Sequence, residues 1–469
     1  MCTIDQKGDR MWAYCKGAPE TVFPLCDHVP QEAYERVEEY ARQGLRVLAI
    51  ADREVADYSP SLGREQTERG MHLLGVVAME DPPRVEVADS VQACQQAGIR
   101  IIMITGDHGL TARSIARQVG ILGEDEPCHI LTGEEVEALS DNQLWDYLRS
   151  GQQIIFSRSA PQVKLRVADL LSTHGEIVSM TGDGANDAPA LRRAEIGVAM
   201  GLSGTDVARE SATMILTDDN FSTIVQAIRA GRQVFQNVRK FIFYILAHTT
   251  PEVVPVMVFA LSGGAVPLPL PIPMLLAFDV GTEIFPALAL GREPAEPGIM
   301  ERPPRSPKES VIGSGLLVRA WLFVGLISAG LEMLGFFWAL WDGGWRWGEH
   351  VPHVLYQEAT TMTLAGMIAC QVGVAFAART ERVSLFQAGF WTNRAMLWGI
   401  GLELLLAAGM IYLPPLQELL GTRALPLSHL LFLLPFPFLV WGADEARKWS
   451  IRRYHTEEPQ SEKKEFAVD

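Results

Sequence analysis

Apolar residues are distributed along this chain in two different patterns, which meet near residue 240. Before that point, short apolar runs alternate with amphipathic stretches, as where "QIIFSR" (153–158) precedes "APQVKLRVADLLSTHG" (160–175). Short strands that alternate with amphipathic helices are typical of a parallel, doubly wound α/β sheet. We therefore predict such a region over residues 73–238, with "LLGVVAM" (73–79) as its first strand.

Residues 1–72 carry a different arrangement of strand and helix patterns. The segments "MCTID" (1–5) and "RMWAYCKG" (10–17) lie on either side of the turn sequence "QKGD", which predicts a β-hairpin. The stretch "QEAYERVEEYARQGLRVLAI" (31–50) predicts an amphipathic helix that leads into a strand. This part of the chain is therefore predicted to be α/β as well.

After residue 238 the chain is dominated by long apolar stretches, each near the length of about 20 residues that a helix needs to cross a bilayer. The six stretches are Phe241–Leu261, Leu270–Leu290, Leu316–Trp338, Tyr356–Ala377, Ala395–Tyr412 and Ser428–Trp441. We therefore predict an all-α bundle of six transmembrane helices over residues 239–446, with the lipid bilayer as a partner. A tail follows at residues 447–469.

Basic residues are concentrated on one side of the predicted spans. The connections after the second and fourth spans, and the tail, carry Arg292, Arg302, Arg305, Lys308, Arg379, Arg382, Arg394, Arg447, Lys448, Arg452 and Arg453. The opposite connections carry only Arg346 and Arg423. The positive-inside rule therefore predicts a multi-pass protein of the cell membrane whose α/β head and tail are cytoplasmic.

Composition narrows the class of partner. The formal charge of −16 argues against nucleic acid, and no basic stripe with interleaved aromatic residues occurs. The six cysteines are scattered without metal-binding or redox spacing, so we expect reduced cysteines that serve packing.

Polar residues that suit phosphate chemistry follow the predicted strands. They lie in "TGD" (105–107), at Lys164, and in "TGDGANDAPAL" (181–191). Asp183 and Asp187 offer the hard oxygen ligands that Mg²⁺ takes, and a lysine is a mobile charge suited to phosphate. The alternative is ordinary turn chemistry, which stays open for "TGD" and fits the longer run poorly.

The membrane half also contains acidic residues, which cost free energy inside a bilayer unless they are paired or solvated. Glu252 lies in the first predicted span, and Asp279 and Glu283 lie in the second. Prolines beside them, including Pro251, remove backbone donors and free carbonyl oxygens one turn earlier. Carboxylates and freed carbonyls predict a cation cage; the alternative is a protonated carboxyl bonded to a neighbouring helix.

Four motifs together resemble the P-type cation-transporting ATPases. They are "KGAPE" (Lys16–Glu20), "DPPR" (Asp81–Arg84), "MITGD" (Met103–Asp107) and "TGDGANDAPAL" (Thr181–Leu191). They occur in the family's order and approximate spacing, and six spans after them resemble the branch of calcium, sodium–potassium and proton–potassium pumps.

The resemblance implies a fold and cofactors for each region. Residues 1–72 would be the C-terminal part of a nucleotide-binding domain, and residues 73–238 a haloacid-dehalogenase-like phosphorylation domain. Residues 239–446 would be the cation-transport domain. The implied cofactors are ATP and Mg²⁺, and the implied further partner is the transported cation.

The resemblance also assigns roles in the head. Lys16 would line the ATP pocket, Arg46 would reach the nucleotide phosphates, and Asp81 and Arg84 would lie at a hinge. Asp183 would ligate Mg²⁺. The residues that would frame the phosphate and neutralise the transferred group are Thr105, Gly106, Asp107, Lys164, Asn186 and Asp187.

In the membrane half the amino-acid sequence is most similar to that of the sodium–potassium and proton–potassium pumps. The residues that would serve the transported ion are Glu252, Asp279, Glu283, Thr249 and His248. His248 would carry a proton or a counter-charge, or would simply be hydrogen-bonded at a helix bend. Tyr244, Gln371 and Glu403 would surround a further site, but Val374 replaces the aspartate of that site. Glu332 has no clear counterpart.

One part of the family pattern is missing. No D-K-T-G-T string, which carries the phosphorylated aspartate in this family, occurs in the sequence. We therefore expect a chain that lacks the N-terminal half of such a pump, either as a fragment or as one half of a split pump with a second chain. The alternative is a degenerate, non-catalytic membrane protein.

Overall fold

The computed structural model describes residues 1–55, 63–79 and 82–456. The chain divides into two compact units. The first unit comprises Met1–Ala227 and Met300–Pro307, and the second comprises Ile228–Ile299 and Lys308–Asp469.

The first sheet belongs to the N-terminal part of the first unit. Its strands are β1 (Cys2–Lys7), β2 (Arg10–Gly17), β3 (Cys26–His28), β4 (Arg46–Glu54) and β5 (Met71–Met79), in the order β1-β2-β4-β5-β3. The predicted hairpin of β1 and β2 is present and antiparallel. The helices of this part are α1 (Pro19–Val22), α2 (Gln31–Arg42) and α3 (Arg64–Thr67). The core of the sheet includes Ala13, Ala49 and Met71, which are fully buried.

The strand at 71–79 differs from its predicted place. We expected it to open the parallel sheet of residues 73–238, but β5 pairs antiparallel with β4 from Arg46↔Met79 to Asp52↔His72. An apolar run is compatible with a central strand of either sheet type, so its pattern alone does not choose the partner. The first sheet therefore extends past the predicted boundary at residue 72.

Two parallel sheets of three strands follow in the first unit. Their strands are β6 (Met103–Ile104), β7 (Cys128–Thr132), β8 (Gln153–Ser157), β9 (Ser179–Gly182), β10 (Ile196–Met200) and β11 (Met214–Leu216). The orders are β6-β8-β7 and β11-β10-β9, and every pairing is parallel. Thus β6 and β9 are edge strands within the described part of the chain. The sequence patterns did not indicate β7.

Helices connect these parallel strands, as the alternating pattern predicts. They are α4 (Glu86–Gln96), α5 (Gly109–Gln118), α6 (Gly133–Ala138), α7 (Asp141–Arg149), α8 (Pro161–Thr173), α9 (Ala188–Arg193) and α10 (Asp206–Ser211). A 3₁₀ turn at Ala185–Asp187 precedes α9. The predicted parallel α/β architecture is confirmed.

The rest of the described chain is helical. Its helices are α11 (Phe221–Leu261), α12 (Ile272–Phe278), α13 (Ile284–Leu290), α14 (Ser314–Leu317), α15 (Leu326–Asp342), α16 (His353–Ala378), α17 (Leu385–Ala388), α18 (Arg394–Tyr412), α19 (Pro414–Leu420), α20 (Leu427–Leu433) and α21 (Phe436–Thr456). Two π-helical segments, Asp279–Glu283 and Val318–Gly325, join α12 to α13 and α14 to α15.

Six of the described helical stretches are long and apolar enough to cross a membrane, which confirms the predicted number. The first helix begins twenty residues before its predicted start, since 241 − 221 = 20, because an amphipathic stretch continues into the apolar one. The last continues past Trp441 to Thr456. The fourth, α16, is the central helix, because 83% of its most apolar window is buried within the protein.

Ion pairs join these helices near their ends. Arg379 is fully buried and contacts Glu293 through its Nε (3.0 Å) and Nη2 (2.9 Å). Arg319 donates to both carboxylate oxygens of the buried Asp444, at 3.0 and 2.7 Å. Paired in this way, buried charges are compatible with an apolar bundle.

Candidate phosphate and cation sites

A cavity of about 380 Å³ lies at the carboxyl ends of β6 and β9. Crevices beyond strand ends are where open α/β sheets bind ligands. The predicted phosphate-site residues that line it are Thr105, Gly106, Lys164, Asp183, Asn186 and Asp187. The structure therefore brings together residues that are up to 82 positions apart, since 187 − 105 = 82.

The best-connected group in this cavity is Asp187. Its Oδ1 accepts a hydrogen bond from Lys164 Nζ at 2.8 Å, and its Oδ2 accepts from the backbone N–H groups of Asp183 (3.2 Å) and Gly184 (3.3 Å). Burial alone would raise the pKa of the Asp187 carboxyl, but these hydrogen bonds and the lysine charge hold the pKa below its usual value. The Asp187 carboxylate is therefore ionised, and the positive charge of Lys164 balances its negative charge.

Glycine at position 182 makes room for this arrangement. A Cβ atom added to Gly182 would lie 2.5 Å from Asp187 Cβ and 2.8 Å from its Oδ2. Any side chain at 182 would therefore displace Asp187 from Lys164. The neighbouring Gly184 has no such constraint, because a Cβ there would meet Asp187 Oδ2 only at 3.7 Å.

Asp183 differs from Asp187 in both exposure and partners. It is exposed, and within the described residues no group donates a hydrogen bond to its carboxylate or pairs with it. Mg²⁺ keeps several waters and is usually held by one or two carboxylates together with substrate phosphates. The unpaired carboxylate of Asp183, beside a cavity that is also lined by a lysine, is compatible with this mode of Mg²⁺ binding. No cluster of three or more His, Cys, Asp or Glu in the described residues forms a metal cage.

The turn after β6 is fixed mainly by backbone hydrogen bonds. Thr105 N–H donates to Phe156 O (2.8 Å), and Ser159 N–H donates to Thr105 O (3.0 Å). The Arg158 N–H donates to Asp107 O (3.0 Å), and Arg158 has a positive φ of 48°. Asp107 belongs to this turn but does not line the cavity.

The sequence did not single out every residue at this cavity. Ile104, Ser159, Pro161 and Gly184 also line it. Pro161 is the first residue of α8, whose N-terminal N–H groups have no partner within the helix. Position just after a strand was the signal available for these residues, but it also applies to ordinary loop residues.

The predicted nucleotide-binding residues are not gathered at a common cavity. Lys16 is exposed near the end of β2, and Arg46 is exposed at the start of β4. A cavity of about 270 Å³ in the first unit is lined in part by Glu20, Val47 and His108, but neither Lys16 nor Arg46 lines it. Their roles stay predictions.

The predicted hinge residues can be placed only in part. Arg84 is exposed, with its Nη1 3.5 Å from Asp218 O. Asp81 lies outside the described residues.

The predicted ion-binding carboxylates lie on facing helices of the second unit. The buried His248 of α11 is hydrogen-bonded through Nδ1 to Glu283 Oε1, at 3.0 Å. Glu252, one turn after His248, is within hydrogen-bonding reach of Asp279. Thr249 is exposed, and among the described residues its side chain makes no hydrogen bond to these carboxylates.

The backbone of the second span is irregular where these carboxylates lie. Asp279 and Glu283 are the first and last residues of the π-helical segment, and such segments are frequent at functional sites. Pro286 in α13 cannot donate to the preceding turn, and Pro251 and Pro255 lie inside α11. Backbone oxygens are therefore left without helical donors close to the acidic side chains.

A second polar network is buried beside the first. The Gln371 amide satisfies its neighbours when its oxygen faces the Tyr244 hydroxyl (3.0 Å) and its nitrogen faces Glu403 (2.8 Å) and Thr282 (3.1 Å). The structure thus brings together the three residues that the sequence placed around a further site, and it adds Thr282. Val374, in the same helix as Gln371, is fully buried.

Comparisons with known proteins agree with both halves of this description. Residues 11–195 match the family "haloacid dehalogenase-like hydrolase", and residues 267–450 match "Cation transporting ATPase, C-terminus". The first match covers the sheet of β6, β7 and β8 and ends just before β10 of the other parallel sheet. The second match covers all or most of five of the six candidate spans.

Individual relatives are similar along nearly the whole chain. The endoplasmic reticulum calcium ATPase srcA of Aspergillus fumigatus is 35% identical over 94% of this chain and 49% of its own length. Calcium-transporting ATPase 1 of Bacillus cereus is 34% identical over 92% of this chain and 50% of its own. The sodium/potassium-transporting ATPase subunit alpha of Drosophila melanogaster is 32% identical over 96% and 50%.

The chain spans about half the length of these curated relatives. The matching half ends in the C-terminal region of the cation ATPases. The chain therefore belongs to the P-type cation-transporting ATPases and corresponds to their C-terminal half.

Proposed function

We propose that this chain is the C-terminal portion of an ATP-driven cation pump. In the parent protein, Mg²⁺-dependent phosphorylation of an aspartate would be coupled to cation movement across the bilayer. The observation that carries this proposal is the cavity at the ends of β6 and β9, with Lys164, Asp183 and Asp187 around it.

The two edge strands indicate what a companion segment would supply. Edge strands present unpaired backbone N–H and C=O groups that can pair with another strand. A parallel strand between β6 and β9 would join the two sheets and end at the cavity. An aspartate at its carboxyl end would be the nucleophile that this sequence lacks. We propose that the companion is another segment of the same protein or a second chain.

The chain's own residues suit phosphoryl transfer, which depends mainly on positioning and charge neutralisation. Lys164, held by Asp187, would place a positive charge beside the transferred phosphoryl group. The Thr105 and Gly106 turn would position its oxygens, with Asn186 at the rim of the cavity. Asp183 would hold Mg²⁺, which when bound would neutralise charge on the phosphate oxygens.

The nucleotide would approach from the first sheet of the same unit. We propose that Lys16 and Arg46 interact with ATP, and that Asp81 and Arg84 lie at the hinge between the nucleotide-binding part and the phosphorylation part. The exposure of Lys16, Arg46 and Arg84 supports these roles, because each guanidinium or ammonium group is accessible to a ligand.

The cation would bind in the second unit at Glu252, Asp279 and Glu283. His248, hydrogen-bonded to Glu283, would supply a proton or a counter-charge, and Thr249 would contribute only after a rearrangement that turns it inward. We propose a cell-membrane location, and the Arg and Lys residues on the connections support an orientation in which the first unit, the two basic connections and the tail are cytoplasmic.

Phosphorylation by labelled ATP tests the proposal. The chain is co-expressed with a segment that carries D-K-T-G-T and four preceding spans, and acid-stable labelling of the companion aspartate is measured. We expect Mg²⁺-dependent labelling that Asp183→Ala abolishes and that the exposed-loop control Glu124→Ala retains.

Three results would contradict this proposal in part or as a whole. Normal labelling of Asp183→Ala would show that the magnesium assignment is wrong. Sustained Mg²⁺-dependent ATP hydrolysis by the 469-residue chain alone would show that no companion is needed. Absence of labelling with every companion would favour the non-catalytic alternative.

A further inference from the structure

Glu332 is a buried acid that the proposed cation site does not use. It lies in α15, in the third span, with no exposed surface. Neither of its carboxylate oxygens has a hydrogen-bond partner among the described residues, and the same holds for the hydroxyl of Ser328, which is fully buried one turn earlier. Two unsatisfied polar groups therefore lie on one face of one helix.

The neighbouring helix is shaped to approach this position closely. A Cβ atom added to Gly366 of α16 would lie 3.5 Å from Glu332 Cα, which is ordinary van der Waals distance, so α16 packs directly against Glu332 at this point. Cys370, one turn after Gly366, donates through its thiol to Ser328 O at 3.9 Å. Leu433 of α20 closes the apolar side, because its Cδ2 would meet the same added Cβ at 3.6 Å.

Two titratable groups act on Glu332 from the helices packed against it. The helix α11 packs against the third span, since Thr250 Oγ1 donates to Trp321 O at 3.1 Å and a Cβ atom added to Gly325 would lie 2.8 Å from Thr250 Cβ. Glu252 of α11 and Cys370 of α16 are both near enough to Glu332 to interact with it electrostatically. No basic side chain in the described part of the chain forms an ion pair with Glu332. Glu252 therefore links this position to the carboxylates described above.

The ligand that these groups fit is a proton. A metal cation in a dry site needs several oxygen ligands, whereas Glu332 offers a single carboxylate, and among the described residues it belongs to no group of three or more His, Cys, Asp or Glu side chains that could hold a metal ion. A bare carboxylate without a partner is costly in an apolar interior. A single proton neutralises it, needs one oxygen, and gives the carboxyl a donor for a nearby acceptor such as the Ser328 hydroxyl.

We propose that Glu332 is an intramembrane proton-binding site whose occupancy depends on the charge at Glu252. Its use in transport rests on the proposed pump function, but proton binding itself does not. Loading forms one O–H bond on the carboxylate, and release returns that proton to water or to a neighbouring acceptor.

Infrared spectroscopy of the full chain in lipid nanodiscs tests this directly. The carbonyl stretch of a protonated carboxylic acid is followed while pH is changed. We expect wild type to show a component that is absent in the nearly isosteric Glu332→Gln and present in the control Glu358→Gln, a partly exposed glutamate of α16. Ser328→Ala should shift the frequency of that component, and Glu252→Gln should shift the pH at which it is lost.

The outcomes separate the parts of the proposal. Proton binding at Glu332 would be overturned if Glu332→Gln retained every carbonyl band of wild type. It would also be overturned if wild type lacked the protonated-carboxyl component at every pH. A component whose pH dependence is the same in Glu252→Gln would overturn the link to the carboxylate cluster. Neither result bears on the labelling assay, so failure here and failure of the pump proposal are distinguishable.

Discussion

Acidic side chains differ in their hydrogen-bond partners between the phosphate cavity and the membrane unit. In the cavity, Asp187 has three donors, one of them a lysine at 2.8 Å. In the membrane unit, Asp279 Oδ1 and both oxygens of Glu332 are buried and have no hydrogen-bond partner in the part of the chain that the structure describes. Yet that same unit pairs Arg379 with Glu293. Because it can supply partners, the unsatisfied carboxyls are a local feature that a transported ion or proton would complete.

The largest predicted effect comes from breaking a pair in the membrane unit. Arg379→Gln would leave Glu293 buried with Asn393 as its remaining side-chain donor, and removing one partner of a buried pair costs about 3–5 kcal/mol. Thermal unfolding in detergent should therefore occur at a clearly lower temperature. Arg346→Gln, at an exposed arginine, is the matched control and should leave the transition unchanged; equal transitions for both would contradict the pairing argument.

The corresponding change in the cavity should be smaller. Lys164→Met removes one of three donors to Asp187, and the loss of a hydrogen bond to a charged group costs about 1.5–3 kcal/mol. Denaturant unfolding of the chain at neutral pH should show this loss. The affinity for inorganic phosphate should fall as well, which a purely structural lysine would not explain.

This difference should also depend on pH. The pKa of Asp187 is lowered in the folded chain, so its contribution to stability is present above the unfolded value of about 3.9 and is lost as pH falls through the lower folded value. Wild type and Lys164→Met should therefore converge in acid. A constant difference down to the lowest pH at which the chain folds would rule out the charge interaction.

Two glycines give a sharper test of the same cavity. Gly182→Ala would push against Asp187 at 2.5 Å and should cost about 1–2 kcal/mol, in the range of overpacked positions. Gly184→Ala, two residues later in the same motif, should be close to neutral. Unfolding curves for the pair decide the matter, and equal curves would show that Gly182 is not required for the position of Asp187.

The smallest effects are expected among the ion ligands. Glu283→Gln removes a charge that contacts His248 and should weaken cation binding by about tenfold, or about 1.4 kcal/mol, in calorimetry of the chain in nanodiscs. Thr249→Val should change binding less, because Thr249 is exposed. A larger effect at Thr249 would mean that another conformation binds the cation.

Local patterns predicted much of the molecule. The six apolar stretches and the alternation around Lys164 depend on periodicity within one element, and both gave the observed elements. Lys164 and Asp187 both follow carboxyl ends of parallel strands, where α/β sheets bind ligands, and this was predicted. Their pairing was not predicted, because the strands before them, β8 and β9, belong to two separate sheets.

Partner choice was harder to predict. The run at 73–79 has the same pattern in either sheet, and only its pairing with β4 places it. The exposure of Thr249 depends on the rotation of α11 against its neighbours, which its own sequence does not determine. Likewise, among the described residues Glu332 is unpaired because α16 and α20 place no hydrogen-bond donor beside it, and no motif in its own helix could have indicated this.

The π-helical segment at Asp279–Glu283 has a consequence for how this span tolerates insertions and deletions. A π-helical turn contains one more residue than an α-helical turn, so the deletion of one residue there would convert it to an α-helical turn without breaking the helix. Losing Val280, whose side chain is largely exposed, would turn the flanking halves relative to each other by about 100°, the angle per residue of an α-helix. Asp279 and Glu283 would then face different neighbours. The number of residues in this one turn therefore determines the directions in which the two acidic side chains point.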